Sequence, residues 1–256
     1  MIARRVSLLS SLAAVLVAVA CTNSFEIPIE TPIRPKLDVA AFQRVLVAGF
    51  IAGGTEDVDG NLETTRLLRS QLRTKSELRV IDSDVLPLQD VATEGRNGDS
   101  GGGGGAAAPA PPQIKEQKDL EAYEHVFANV EYWKRIGEEY QQPLIVTGTV
   151  LFTPLQRNQI VQREQEVYDS FGRRRVVPVR TYQERKGFSL DGRFIFIDGR
   201  SGATLHSESF NEQILYNANQ TTPALSSYFE LMDRLIPSFL STLSSQKIKG
   251  TRILLQ

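Results

Sequence analysis

A helical stripe that runs straight into a solid apolar stretch constrains this fold more than any other feature. Across residues 118–140, Leu120, Tyr123, Phe127, Val130 and Trp133 recur at three- and four-residue spacing, which predicts a helix. Pro143-Leu-Ile-Val-Thr-Gly-Thr-Val-Leu-Phe152 follows it and is the strongest strand signal in the chain. Gly148 within it marks a bulge or a close backbone approach. A second β-rich run, Arg44-Val-Leu-Val-Ala-Gly-Phe50, has the composition of a strand buried on both faces. After a Gly/Asp-rich loop at 53–60, Asn61 is placed to cap a helix through Lys75, with Leu62, Leu68 and Leu72 on one face. Leu78, Val80 and Ile81 predict a short strand at 77–82. The order strand, helix, strand, helix, strand predicts an α/β (α+β) fold, a single mixed β-sheet flanked by about three helices.

The later segments complete the sheet. Residues 156–186 are long, charged and punctuated by Asp169-Ser-Phe-Gly172, which predicts a long protruding β-hairpin with its tip at Gly172. Residues 188–198 predict a strand that buries Leu190 and Phe194-Ile-Phe-Ile197. Asp198-Gly-Arg-Ser-Gly202 is a tight turn, and 203–213 pairs back. Thr222 and Pro223 are expected to open the last helix as cap and first turn. Its stripe is Leu225, Phe229, Met232, Leu235 or Ile236, Phe239 and Leu243. Pro237 inside it is expected to kink or break the helix, at about 3 kcal/mol. Residues 252–255 offer a closing strand. Residues 94–114 contain Gly101 to Gly105, Ala106 to Ala108, Pro109, Pro111 and Pro112; this composition predicts a disordered surface loop inside the domain.

The amino terminus places the chain in a compartment. Arg4 and Arg5, an apolar segment from Val6 to Ala20, and small residues before Cys21 make a secretory signal peptide over 1–20. Fifteen residues are too few for a spanning helix, which needs roughly 20. Ala18-Val19-Ala20-Cys21 resembles the lipobox of bacterial lipoproteins, which implies cleavage before Cys21 and lipidation of its thiol. Thr22, in place of the aspartate that marks inner-membrane retention in enteric bacteria, implies the periplasmic face of the outer membrane. Residues 21–41, with Pro28, Pro32 and Pro35, are expected to form an extended tether, and the alternation of Ile27, Ile29 and Ile33 leaves room for an edge strand. Residues 42–256 then form one domain. Cys21 is the only cysteine, so no intramolecular disulfide is available, and a core of this size does not need one. Cleavage removes Arg4 and Arg5 and no acid, taking the net charge from −1 to −3. Such a balance gives no footprint for nucleic acid.

Chemistry-bearing sets are sparse. His125 falls on the long helix, and His206 on a strand, where a surface or pocket-rim place is expected. There is no Gly-x-Ser-x-Gly elbow, and Ser201 is an ordinary turn residue. Gly49-Phe-Ile-Ala-Gly-Gly54 lacks both the dinucleotide and the P-loop patterns, so a flexible βα loop is expected. Glu56, Asp57 and Asp59 lack the twelve-residue calcium pattern and are expected to be solvated. No catalytic residue, cofactor or metal is therefore expected. Arg173, Arg174 and Arg175, at the predicted hairpin tip, are the candidate contact to an acidic partner or a wall polymer.

Val45 to Phe50, Val80-Ile-Asp82, Leu144-Ile-Val-Thr-Gly148 and the turn Asp198 to Gly202 together resemble a group of envelope domains. The group comprises the curli-secretion channel lipoproteins, the lipoprotein activators of penicillin-binding proteins and the amino-terminal domain of TolB. The resemblance spans about residues 42–256, with the hairpin tip and the Gly-rich loop outside it. It implies a mixed sheet with packed helices and does not transfer a function. A channel subunit needs a strand with one lipid-facing apolar row. In 156–171 neither Ile160, Gln162, Glu164, Glu166, Tyr168, Ser170 nor Val161, Arg163, Gln165, Val167, Asp169, Phe171 provides one. The expected function is a lipid-anchored, non-catalytic binding or accessory module for another envelope protein in envelope assembly or secretion. A curli-type channel subunit and an envelope hydrolase are the alternatives.

Overall fold

A computed structural model describes residues 24–97, 113–217, 220 and 222–255. The leader, Cys21 and the central part of the Gly/Pro-rich loop lie outside the described residues. In chain order the elements are β1 (Ser24–Ile33), β2 (Arg44–Gly54), α1 (Gly60–Lys75), β3 (Arg79–Val80), α2 (Leu88–Asn97) and α3 (Gln117–Glu121). They continue with α4 (Glu124–Ala128), α5 (Val130–Glu139), β4 (Leu144–Tyr168), β5 (Arg174–Asp198), β6 (Thr204–Asn217), α6 (Ala224–Leu243) and β7 (Gln246–Leu255). The described chain falls into two compact units, one of residues 24–35 with 245–255 and one of residues 36–244.

The smaller unit is an antiparallel ribbon of β1 and β7, paired from Ser24↔Leu255 to Ile33↔Gln246 without a slip. The expected tether is thus a paired strand over Ser24–Ile33, and the expected closing strand is its partner rather than a member of the main sheet. The alternation of Ile27, Ile29 and Ile33 sets the period. Pro28 and Pro32 are tolerated because each strand of a two-stranded ribbon keeps one open edge. Lys247 and Lys249 bracket Glu30 at 3.3 and 3.8 Å.

The larger unit holds a five-stranded mixed sheet in the order β3-β2-β4-β5-β6. β2 runs parallel to β3 and β4, and β4, β5 and β6 form an antiparallel meander. Helices cover both faces. On one side Val45, Phe50, Val146, Phe152 and Phe194 pack against α1 and α6 through Leu68, Leu72, Tyr228, Leu235 and Phe239. On the other, Leu46, Ile51, Ile145, Leu151 and Ile195 pack against α2 to α5 through Leu88, Leu120, Phe127, Trp133 and Ile136. The apolar composition of β2 and of the first half of β4 follows from this double burial. Gly148 lies at φ +149°, where a Cβ would meet the Arg193 carbonyl oxygen at 1.8 Å.

Three helix boundaries depart from expectation. Asp59, not Asn61, caps α1 by accepting from the Leu62 N–H at 3.0 Å. Asn61 instead accepts from the Phe50 N–H at 2.7 Å and ties the helix to β2. The expected long helix at 118–140 is three short ones. Asn129 breaks it because its side chain accepts from the Tyr132 N–H at 3.0 Å, a local bond that competes with helical continuation. The Val126 carbonyl, which accepts from the Asn129 N–H at 3.3 Å, also accepts from the Trp133 indole at 2.9 Å. Finally, Pro223 rather than Thr222 occupies the N-cap position of α6, with no side-chain cap bond, and the helix runs through Pro237 to Leu243. Phe239, Leu240 and Leu243 beyond the proline are buried. At about 1.5–3 kcal/mol per buried side chain, their burial outweighs the lost backbone bond.

Candidate binding surfaces

The most unusual feature of the larger unit is the length of two of its strands. β4 and β5 pair in continuous register from Leu144↔Asp198 to Tyr168↔Arg174. Their neighbours stop early: β2 ends at Gly54↔Phe152 and β6 at Arg185↔Asn217. Residues 158–168 and 174–184 therefore have only each other. At ~3.3 Å per residue this free ribbon reaches roughly 35 Å. None of its side chains belongs to either described core cluster. Ile160, Tyr168, Val176 and Tyr182 are exposed on it, Ile160 by 71%.

Register sorts the ribbon's side chains into two faces. Even-numbered residues share one face with the α1 and α6 layer, and odd-numbered residues share the other with the α2 to α5 layer. On the even face Glu164, Glu166 and Glu184 balance Arg174, Arg180 and Lys186. Arg174 pairs with Glu166 at 2.7 Å and Lys186 with Glu184 at 3.3 Å. Over the paired residues 157–168 and 174–185 the odd face carries Arg157, Arg163, Arg175 and Arg185 and no carboxylate; Asp169, next in the odd-numbered row, lies in the turn. Arg157 lies directly opposite Arg185, a like-charged pair that costs stability on a sheet. Arg157 reaches Gln213 Oε1 at 2.9 Å, whereas the buried Nε of Arg185 has no hydrogen-bond acceptor among the described residues. Neither face is a row that could lie against lipid.

The tip arginines do not form one patch. Asp169 builds the turn by accepting from the backbone N–H groups of Phe171 and Arg173 at 3.0 and 2.9 Å, and from the Arg173 guanidinium at 3.0 Å. The Arg173 backbone bond, with these others, holds the Asp169 carboxyl below the ordinary aspartate range. Arg173 also lies 5.4 Å from the centre of the exposed Phe171 ring. Gly172 supplies the left-handed turn position at φ +71°. Arg173 is thus held by Asp169 and Arg174 by Glu166, while Arg175 points to the opposite face. Strand alternation already separates Arg174 from Arg175. What the linear sequence conceals is the cross-strand neighbour of each, because that depends on register.

The remaining candidates are engaged locally. Gly49 to Gly54 lie within β2 rather than in a loop. A cleft of about 430 Å³ opens beyond the carboxyl end of β2, lined by Phe50, Val58, Leu88 and Ile114 with Glu56 and Asp90. Glu56 is bound to Gln113, Asp57 to Thr55 and Asp59 to the α1 terminus. Among the described residues no group of three potential ligands is placed to hold a metal ion. His125 contacts the carbonyls of Ala122 and Ala92 at 2.9 and 3.3 Å. His206 lies 3.6 Å from Glu208. Burial works to raise the Glu208 carboxyl, but bonds from Lys36 and Thr242 outweigh it and hold the group below its ordinary range. Those bonds fasten residue 36 and α6 to β6. Ser201 donates to Asp198 at 3.0 Å within its turn.

The fold is thus a mixed α/β sheet covered by helices on both faces and extended by a free ribbon. No protein-family model matches the chain, and no curated protein matches it. Among solved structures it is similar to lipoprotein GNA1162 from Neisseria meningitidis at 12% identity and a TM-score of 0.32, covering 77% of this chain and 97% of that one. It is also similar to a neuraminyllactose-binding hemagglutinin homologue from Helicobacter pylori at 10% identity and a TM-score of 0.36, covering 82% and 86%.

Proposed function

We propose that this chain is a bacterial envelope lipoprotein, cut before Cys21, tethered by lipid on that residue at the periplasmic face of the outer membrane. It acts as a non-catalytic accessory module that binds another envelope protein during envelope assembly or secretion. The free ribbon at 158–184 carries this proposal. A folded core gains nothing from some 35 Å of strand that buries no core side chain, and a two-stranded hairpin is marginal by itself. Such an extension makes sense as a contact surface. The leader and Cys21 support the location, and no helix among the described residues is long and apolar enough to cross a membrane. The charged rows on both ribbon faces count against a channel-forming role.

The test has two parts. Mass spectrometry of the protein from native membranes is expected to show residues 1–20 removed and acyl chains on Cys21. An intact leader or a bare thiol defeats the anchoring. Chemical crosslinking in intact cells is expected to join the full chain to a second envelope protein and to lose that adduct when the ribbon is trimmed. An adduct indifferent to trimming defeats the role given to the ribbon.

A further inference from the structure

We infer that the ribbon docks through its odd-numbered face, and that the occupant is an acidic, partly apolar surface of a folded protein. The inference rests on the binding role proposed above and adds which face is used and what chemistry it accepts. Charge complementarity is its basis. Arg157, Arg163, Arg175 and Arg185 line one side of the ribbon with no carboxylate among them, although Glu164, Glu166 and Glu184 stand on the same two strands. All three acids face the other way. There they neutralise Arg174, Arg180 and Lys186, two of the pairs lying within 3.3 Å. A ribbon that served only as a solvated spacer would gain by mixing its charges on both sides. Segregation leaves the odd face cationic and the even face neutral.

The spaces between the odd-face arginines separate a protein surface from a hydrated polyanion. Arg163 stands opposite Val179 and Arg175 opposite Val167, and Val161 and Val177 share the row with the uncharged Gln159, Gln165, Thr181 and Gln183. Arginine set among apolar side chains is the composition of protein–protein contacts, whose centres are poor in other charges. A phosphate or uronate polymer, wet along its whole length, would bury these valines without return. The open edge of β5 is a poorer docking site than the face. Pro178 has no N–H to offer β4, so the Glu164↔Pro178 pair is of the non-hydrogen-bonded kind, and the proline nitrogen faces the open edge of β5. An added strand would find a donor missing midway along that edge.

The experiment places a photo-crosslinking amino acid in the full chain in intact cells, once at Val177 on the odd face and once at Val176 on the even face. The expected result is a protein adduct from position 177 and little from position 176. Arg163→Glu with Arg175→Glu should cut that adduct about tenfold, since each reversal turns attraction into repulsion. Arg174→Glu with Arg180→Glu, which changes the net charge equally, should leave it within about twofold. Circular dichroism and thermal unfolding of each variant establish that it folds. Equal adducts from both positions, or equal losses from both charge reversals, overturn the face assignment and leave the binding role standing. A polymer or lipid adduct at 177 overturns the assignment of the partner. No adduct from either position overturns the binding role itself.

Discussion

Replacing residues 158–184 by Asn-Gly would show directly whether the ribbon belongs to the fold or to the function. The cut is dictated by register: Arg157 and Arg185 face each other, and a two-residue Asn-Gly loop joins paired antiparallel strands with the twist they already have. The cost can be summed from the contacts removed. No core side chain is lost. Three exposed ion pairs go, Arg173 with Asp169, Arg174 with Glu166 and Lys186 with Glu184, each worth about 0–1 kcal/mol. Two surface hydrogen bonds, Gln156 to Glu184 at 2.7 Å and Gln183 to Asn217 at 3.4 Å, contribute little. Against this, ordering twenty-odd backbone residues in a marginal hairpin returns almost nothing. The shortened chain is therefore expected to unfold within about 1 kcal/mol of the parent. For a domain near two hundred residues that is a shift of about 2–4 °C. Paired thermal and urea unfolding curves measure it. A loss above about 3 kcal/mol, or a chain that no longer folds, would refute the separation of ribbon from core.

The other expectations concern single positions. Gly148→Ala should cost about 2–4 kcal/mol, because its Cβ would strike the Arg193 carbonyl; Gly172→Ala, with nothing within 4 Å of the added atom, should cost about 1 kcal/mol, both read from denaturant midpoints. Tyr228→Phe removes a buried hydroxyl bonded to the Gly60 carbonyl at 3.2 Å and to Thr64, and should cost about 1–2 kcal/mol in the same assay. Thr64 still donates to Gly60 at 2.6 Å, which bounds the loss. The Asp169 carboxyl, held low by the Arg173 and Phe171 N–H groups, gives the tip a stabilisation that is complete above the unfolded-chain carboxyl value. It is lost as the pH falls through the lower folded value; a carboxyl carbon resonance titrating like a free aspartate would contradict this. Pro178→Thr restores a donor to the open β5 edge and should increase concentration-dependent association in sedimentation velocity; an unchanged profile would show that the proline does not guard that edge.

Much of the larger unit was legible because its signals are local. β2, the apolar half of β4 and the Asp198 turn announce themselves within ten residues, and the hairpin tip falls at Gly172 as the Asp-Ser-Phe-Gly spacing predicts. The failures are of two kinds. Some turn on competition between neighbouring side chains. Asp59 and Asn61 are both good caps, and only the demand of the Phe50 N–H for an acceptor assigns Asn61 elsewhere. Asn129 looks like one polar position in a helical stripe until its side chain takes the Tyr132 N–H. Others depend on distance in sequence. The partner of Ser24–Ile33 is Gln246–Leu255, and no local window joins two strands so far apart. The arginine run had the same fate: its alternation is local, but its neutralisation by Glu166 and the grouping of Arg163 with Arg175 need the register of one strand upon the other.

That dependence on register ties the ribbon's stability to its use. Long free strands invite edge-to-edge pairing, and proteins blunt them with charge and proline. Here Pro154 stands where β4 loses β2, Pro178 interrupts the edge of β5, and neither strand runs far without a charge. Charge of both signs mixed over both faces would have sufficed for that purpose. Placing all three carboxylates of the ribbon strands, Glu164, Glu166 and Glu184, on one face does more, because the like-charged Arg157 and Arg185 then meet directly and cost stability that a mixed arrangement would keep. A slip of one residue would carry Arg174, Arg175 and Arg185 across and erase the segregation. The continuous, bulge-free register from Leu144↔Asp198 to Tyr168↔Arg174 is therefore what preserves the cationic face. Its lower half is fixed in the double-sided core, so the position of Arg175 against a partner is set by Ile145, Val146 and Phe196 at the far end of the same two strands.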